Sequence, residues 1–188
     1  MEMRLRTQRD YRAMPWRNGG GTTTELVVEP AGAGVGPSAA RFFYRVSIAD
    51  VSSDGPFSRF EGYDRHIMLL EGAGMTLDCG SHGRIDLSMP LAPRTFSGDW
   101  EVYAALVAGP VRDFNLIVDR ARASSSLEVR SLEAPEEVAV GSGDVCVAHV
   151  LTGALEGADD GDTLVVEETF ELVPRSRARV AVARIGAR

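Results

Sequence analysis

RHIMLLEG, residues 65 to 72, opens on a basic pair, runs through four apolar residues and stops on a glycine. An apolar run that short suits a strand buried on both faces, because helices of ordinary length need a longer, 3.6-residue stripe. DVCVAHVLTG, residues 144 to 153, has the same grammar and also stops on a glycine, Gly153. More strand follows each: Met75 to Cys79 after the first, Thr163 to Glu167 after the second. Met89-Pro90-Leu91 and Leu172-Val173-Pro174 come next. The pattern predicts a degenerate internal duplication of a β unit, with little identity between the copies.

The rest of the chain agrees. Phe43 to Ile48 alternates apolar and polar. Arg84 to Leu87, Val102 to Val107, Phe114 to Val118, Leu127 to Leu132 and Arg179 to Ile185 are short runs between Gly, Pro and Ser. Closely spaced strands with such punctuation predict an all-β sandwich or barrel. Thr7 to Tyr11 and Ser52 to Asp54 are the best helix candidates, and both are short. Gly32 to Ser38 reads as a flexible loop, and Ala134-Pro-Glu-Glu137 as a connection between halves.

The chain has 188 residues, enough to bury a real core. It has no apolar stretch of about 18 residues, so no transmembrane helix is expected. The polar, charged N-terminus is unlike a signal peptide, which predicts a cytoplasmic protein. A net charge of -7 disfavours nucleic-acid binding. All 20 basic residues are arginine. That excludes a lysine Schiff base and a phosphate-loop lysine, and leaves Arg, which matches planar carboxylates, as the cation of any anion site. Cys79 and Cys146 have no zinc-ligand spacing and are expected to be free and buried.

PWRNGGGTTTEL, residues 15 to 26, poses the functional question. A phosphate cradle would need a lysine and a following helix, whereas Thr22 to Val28 is β-branched and extended. Two readings remain. The glycines form a bare turn, or Trp16, Arg17 and Asn18 beside open backbone N–H groups rim a small-molecule pocket. GPFSRFEGYDRH, residues 55 to 66, leads into the strand that ends at Gly72. Metal-binding β-barrels of the cupin superfamily carry two His and a Glu before such a glycine, the Glu seven positions ahead. Here that position holds Arg65, and Ser58 to Glu61 contain no His. His66 points to the opposite strand face. No metal and no cofactor are therefore expected. Arg65 either offers a cation to an anionic ligand or forms a surface salt bridge with Asp64 or Glu61. In GPVRDFNL, residues 109 to 116, Asp113 and Asn115 share one strand face. Asp99 and Asp113 are either turn caps or candidate general bases.

Taken in order, PWRNGGGTTTEL, YRVSIA (44 to 49), GPFSRF (55 to 60), RHIMLLEG, FSGD (96 to 99) and GPVRDFNL make the chain resemble the HutD/Ves family. The resemblance is strong over about residues 5 to 120 and weak beyond. It implies a double-stranded β-helix of the cupin type, a bicupin whose halves span roughly 1–120 and 121–188. It also implies a bacterial cytoplasmic protein, some family members being tied to histidine utilisation and others to stress.

The expectation that follows is a metal-free bicupin binding a small carboxylate metabolite, such as N-formylglutamate, with a regulatory role in histidine utilisation. Arg65 is the expected clamp and Arg45 a second basic contact, provided the Arg45–Ser47 face of its strand looks inward. Trp16 and Phe60 would be apolar walls. Asn18, the Gly19, Gly20 and Gly21 amides and Asn115 would orient polar atoms. The alternatives are an enzyme acting on a small acyl amino acid, a stress-associated protein, and an interaction protein with no pocket ligand. No nucleic-acid or membrane partner is expected; homodimerisation is common among barrels of this sort.

Overall fold

A computed structural model of the chain describes residues 3–30 and 42–188; the Gly32 to Ser38 loop lies outside the described residues. In chain order the strands begin with β1 (Met3–Arg6), β2 (Arg12–Pro15), β3 (Gly21–Pro30), β4 (Phe42–Val51), β5 (Gly55–Pro56) and β6 (Tyr63–Glu71). Then come β7 (Met75–Asp78), β8 (Arg84–Leu87), β9 (Arg94–Ser97), β10 (Tyr103–Leu106) and β11 (Val111–Asp119). The last are β12 (Ala123–Leu132), β13 (Glu136–Val138), β14 (Val145–Thr152), β15 (Thr163–Val166), β16 (Phe170–Leu172) and β17 (Ala178–Ala187). The ladders between named strands are antiparallel, and the sheets do not close into barrels. No described helix is long and apolar enough to cross a membrane.

The chain divides into two compact units. One is Arg12–Ala121. The other joins β1 and the turn after it to Arg122–Arg188, so the first strand lies with the later half of the sequence, not with its own neighbours. In the first unit a six-stranded sheet, β2-β3-β4-β11-β6-β9, shares a core with a four-stranded sheet, β5-β10-β7-β8. Period-two alternation aims Ala49 and Val51, Ile67 and Leu69, and Val111 into that core. Met75, Leu77 and Leu87 meet them from the smaller sheet. Full burial of each such side chain stabilises by about 1.5–3 kcal/mol. In the second unit β1-β15-β14-β17-β12 packs on β13–β16 around Leu132, Val150, Leu164, Leu172 and Val180.

The duplication is visible in the hydrogen bonds. β4-β11-β6-β9 in the first unit matches β12-β17-β14-β15 in the second. Each has a bulge at the same place. Arg112 faces Glu71 and Asp113 faces Leu69; Arg179 faces Thr152 and Val180 faces Val150. Gly72 and Gly153 follow these bulges with φ of 102° and 87°, where a side chain is strained. A Cβ at Gly72 would lie 2.6 Å from the carbonyl oxygen of Pro110, and one at Gly153 lies 2.3 Å from that of Arg177. The two terminal glycines of the sequence pattern are thus one structural requirement met twice. The sequence pattern aligned Met75 to Cys79 with Thr163 to Glu167. The ladders instead make β15 the counterpart of β9, because each flanks the strand that ends in the glycine.

Thr7 to Tyr11 contains a 3-10 turn, Gln8–Asp10, closed by the Thr7 and Asp10 side chains. Ser52 to Asp54 is not helical. Its backbone is held from outside: the Ser52 N–H donates to Gly20 O at 2.9 Å, and Asp54 Oδ1 accepts from the Leu106 N–H at 2.8 Å. Cys79 and Cys146 are free and buried.

Candidate functional site

A cavity of about 480 Å³ lies in the first unit, within the range of small-molecule sites. Its floor is built by three neighbouring strands. Arg45 on β4, Ile117 on β11 and Arg65 on β6 are register partners across the sheet, so the two arginines flank Ile117. The next rungs are Ser47–Asn115–Ile67 and Ala49–Asp113–Leu69. Alternation therefore delivers Arg45, Ser47, Arg65, Asp113 and Asn115 to one face, and the Arg45 face looks inward. Strands about 4.8 Å apart place two guanidiniums, one on either side of β11, within reach of one small ligand.

Arg65 is 6% exposed. Its Nη1 donates to Ser58 O at 3.1 Å and its Nη2 to Asn115 Oδ1 at 3.4 Å. The guanidinium carbon lies 4.8, 5.3 and 5.4 Å from the ring centres of Phe96, Phe60 and Phe57. These rings both shield and attract the cation. Burial lowers its pKa to about 10, with nearby Asp113 opposing the fall, so it stays charged at neutral pH. Arg45 stacks over Phe60 at 5.0 Å and Phe42 at 5.2 Å, and its Nη1 lies 3.8 Å from Glu25 Oε1. The Nε atoms of both arginines are buried without a hydrogen-bond partner among the described residues.

Asp113 is the cavity's buried carboxyl. Its Oδ1 accepts from Asn115 Nδ2, while its Oδ2 is buried and unpartnered. Burial pushes its pKa up to about 7, against the pull of Asn115 and Arg65. The residue was legible through its two-residue spacing from Asn115, yet the sequence ranked it only as a cap or a base. Arg17, which one reading placed on the pocket rim, lines the cavity, as do Thr23, Ser47, Phe57 and Ser58, which were not expected there as site residues.

Trp16, Asn18, Arg45, Phe60, Arg65 and Asn115 line this cavity. Trp16 is held by its Nε1–H, which donates to Thr23 Oγ1 at 2.8 Å, and by an edge contact with Phe57 at 6.4 Å. Phe60 is seated by the FSGD stretch. Its N–H donates to Gly98 O, and the Gly98 N–H to Tyr63 O, each at 2.8 Å. Asp99 Oδ1 accepts from the Gly62 N–H at 2.7 Å in the same loop.

Three expected contacts need correction. Gly19, Gly20 and Gly21 do not line the cavity. They form the turn between β2 and β3, and their groups are used there. The Gly19 N–H donates to Trp16 O, the Gly20 N–H to Asn18 Oδ1, and Gly21 O accepts from the Trp16 N–H, at 2.9–3.0 Å. The glycines shape the turn that carries Trp16, and Asn18 spends its oxygen on that turn. Asp99 is likewise no candidate base. The Gly62 N–H, Arg120 and Ser97 hold its pKa down to about 2. The surface-bridge alternative for Arg65 also falls, since Arg65 is buried and Asp64 pairs with Arg120 Nε at 2.7 Å.

His66 faces away from the cavity, its Nδ1 within 2.9 Å of Thr95 Oγ1. No histidine or cysteine lines the cavity, and among the described residues no group of three or more His, Cys, Asp or Glu could hold a metal ion. Two guanidiniums beside one carboxyl repel a divalent cation. This lining does not suit a divalent metal ion.

The chain is similar to several known proteins. An uncharacterized 21.2 kDa protein in the hutC 3' region of Pseudomonas putida is 40% identical over 116 residues, covering 62% of this chain and 58% of the relative. Protein Ves of Citrobacter koseri is 36% identical over 124 residues, covering 64% and 61%. The chain thus spans about three fifths of the length of these curated relatives. The structure of HutD from Pseudomonas fluorescens SBW25, in a formate condition, superposes over 100% of both chains with a TM-score of 0.82 and 31% identity. A bacterial pirin from Escherichia coli, in complex with nickel(II), shares the fold at a TM-score of 0.65 and 11% identity, over 98% of this chain and 99% of its own. The fold is the bicupin one expected from the sequence, all-β and of the cupin–pirin kind. The HutD family model matches residues 8–185, and the chain belongs to the HutD family.

Proposed function

We propose that the first unit binds a small carboxylate metabolite without a metal, between Arg45 and Arg65. The observation that carries this reading is the pair of guanidiniums, that of Arg65 buried and that of Arg45 half-buried, each with an unpartnered Nε, lining a cavity with one buried carboxyl. Burying a cation without full pairing costs several kcal/mol, and an incoming carboxylate relieves that cost for both. Phe57, Phe60 and Trp16 supply apolar walls for the ligand's carbon skeleton.

N-formylglutamate is the ligand of first choice. The formate condition of the Pseudomonas fluorescens protein and the hutC neighbourhood of the Pseudomonas putida relative both support an acid of histidine utilisation. Binding, with no turnover, would let a cytoplasmic protein report the level of that acid and so regulate the pathway. Calorimetric titration with N-formylglutamate, formate and acetate tests the reading; absence of heat with all three at millimolar concentration overturns it.

A second reading has its own observation. Asp113, with a pKa near 7 in a cavity, has the poise of a general base. Incubating the protein with N-formylglutamate and assaying released formate separates the two: turnover supports an enzyme on acyl amino acids, and unchanged ligand supports a binding protein.

A further inference from the structure

The carboxylate reading leaves one cavity group unused. Asp113 is 1% exposed, yet its Oδ2 has no partner among the described residues. Asn115 decides which of its oxygens is left over. The Asn115 Oδ1 accepts from Arg65 Nη2, which turns the amide nitrogen toward Asp113 Oδ1, where it donates. With Oδ1 fixed as an acceptor, a proton on Asp113 sits on Oδ2.

The charges around Asp113 come from several elements. Asn115 lies on its own strand. β4 brings Arg45 and also Asp50, whose negative charge raises the Asp113 pKa, and β6 brings Arg65. Glu25 of β3 reaches Arg45, and exposed Arg17 lies on the lining. A carboxylate entering between the two arginines adds a negative charge beside Asp113. Two carboxylates at such a distance do not both stay ionised, and the buried one takes the proton.

Resting on the carboxylate reading of this site, we infer that Asp113 is a third ligand-binding residue, which takes a proton from solvent and donates Oδ2–H to the ligand's carboxylate. The ligand anion and one proton enter together, and no covalent bond is broken. Asp113 thereby turns an arginine clamp into a site that accepts an acid more readily as the medium becomes more acidic. Its pKa near 7 puts this response in the neutral range, where the ligand's own carboxyls do not titrate.

The test is calorimetric titration of N-formylglutamate into the full chain at pH 8, in buffers of differing protonation enthalpy. The expected slope is the uptake of about 0.9 proton per ligand, since a group titrating near 7 is mostly ionised at pH 8. Affinity should fall about tenfold per pH unit above 7 and level off below 6. Asp113→Asn keeps a donor at every pH. It should bind with no proton uptake, and at pH 8 with the affinity the native chain shows at pH 6. Binding without proton uptake and with flat affinity from pH 6 to 9 overturns this inference and leaves the carboxylate clamp standing. An Asp113→Asn variant with the native pH profile overturns it too. No binding of N-formylglutamate, formate or acetate between pH 5 and 9 overturns both readings.

Discussion

The two units set the same rungs to different purposes. Through the shared bulge, Asp113 corresponds to Val180, Asn115 to Val182, Arg65 to Cys146 and Arg45 to Ser126. In the second unit Val180, Val182 and Cys146 close into an apolar core. In the first unit the same positions carry two cations, an acid and an amide around open space. The ladder, the glycine and the bulge do not require the polar set, since the second unit keeps all three without those side chains. The polar set is therefore an addition to the fold, tolerated because the aromatic rings and Asn115 partly satisfy it.

The harshest way to break the comparison is to move one polar residue across. Val180→Asp buries an acid with no Arg65 or Asn115 equivalent beside it. It should destabilise by about 3–5 kcal/mol at neutral pH, less in acid, as measured by urea unfolding. A loss under about 1 kcal/mol would mean that the second unit holds an unrecognised polar site. Next in size is Arg65→Ala. Losing two charge-assisted bonds to a carboxylate should weaken N-formylglutamate binding about 100-fold or more. Unchanged affinity would remove Arg65 from the site.

The pH response of stability sharpens the contrast, because one buried residue in each unit, His149 and Asp113, carries the opposite sign. Burial lowers the pKa of His149 to about 4, so its folded form stays neutral while the unfolded one protonates. The unfolded chain then binds more protons below about 6.5, and stability from this residue is lost as pH falls toward about 4. Asp113 does the reverse: its folded form holds a proton up to about 7, while unfolded Asp is ionised above about 4, so stability declines as pH rises between them. His149→Gln should flatten the acid limb of a thermal-midpoint profile, and Asp113→Asn the neutral limb; identical profiles would deny the difference. The smallest effect is expected from Asn18→Ala. Losing its bond to the Gly20 N–H should cost about 1 kcal/mol of stability and leave affinity within about twofold. A large loss of affinity would return Asn18 to the ligand.

The strands of Phe43 to Ile48, Ile67 to Leu70 and Phe114 to Val118 were legible because alternation or a short apolar run is a local signal. β1 and β9 were not. MRLR and RTFS carry little apolar content, and only their partners make them strands. Arg65, Trp16 and Phe60 could be found from their distance to Gly72 and from their place in quoted stretches. The convergence of Arg45, Arg65 and Asp113 could not, since it depends on which rungs face each other, and that is settled by ladders between distant segments. The glycine triplet misled for a related reason. Its N–H groups look open in sequence, yet Trp16 O and Asn18 Oδ1 take those of Gly19 and Gly20.

The placement of β1 has a consequence for how the chain is made. Met3 to Arg6 emerges from the ribosome before Arg12–Ala121 is made, yet its ladder partner, Thr163 to Val166, emerges after it. β1 must wait for that partner while the intervening unit, Arg12–Ala121, is completed. Removing β1 would therefore damage a unit built mostly from much later residues, leaving the β15 edge bare and able to recruit the same strand from another molecule.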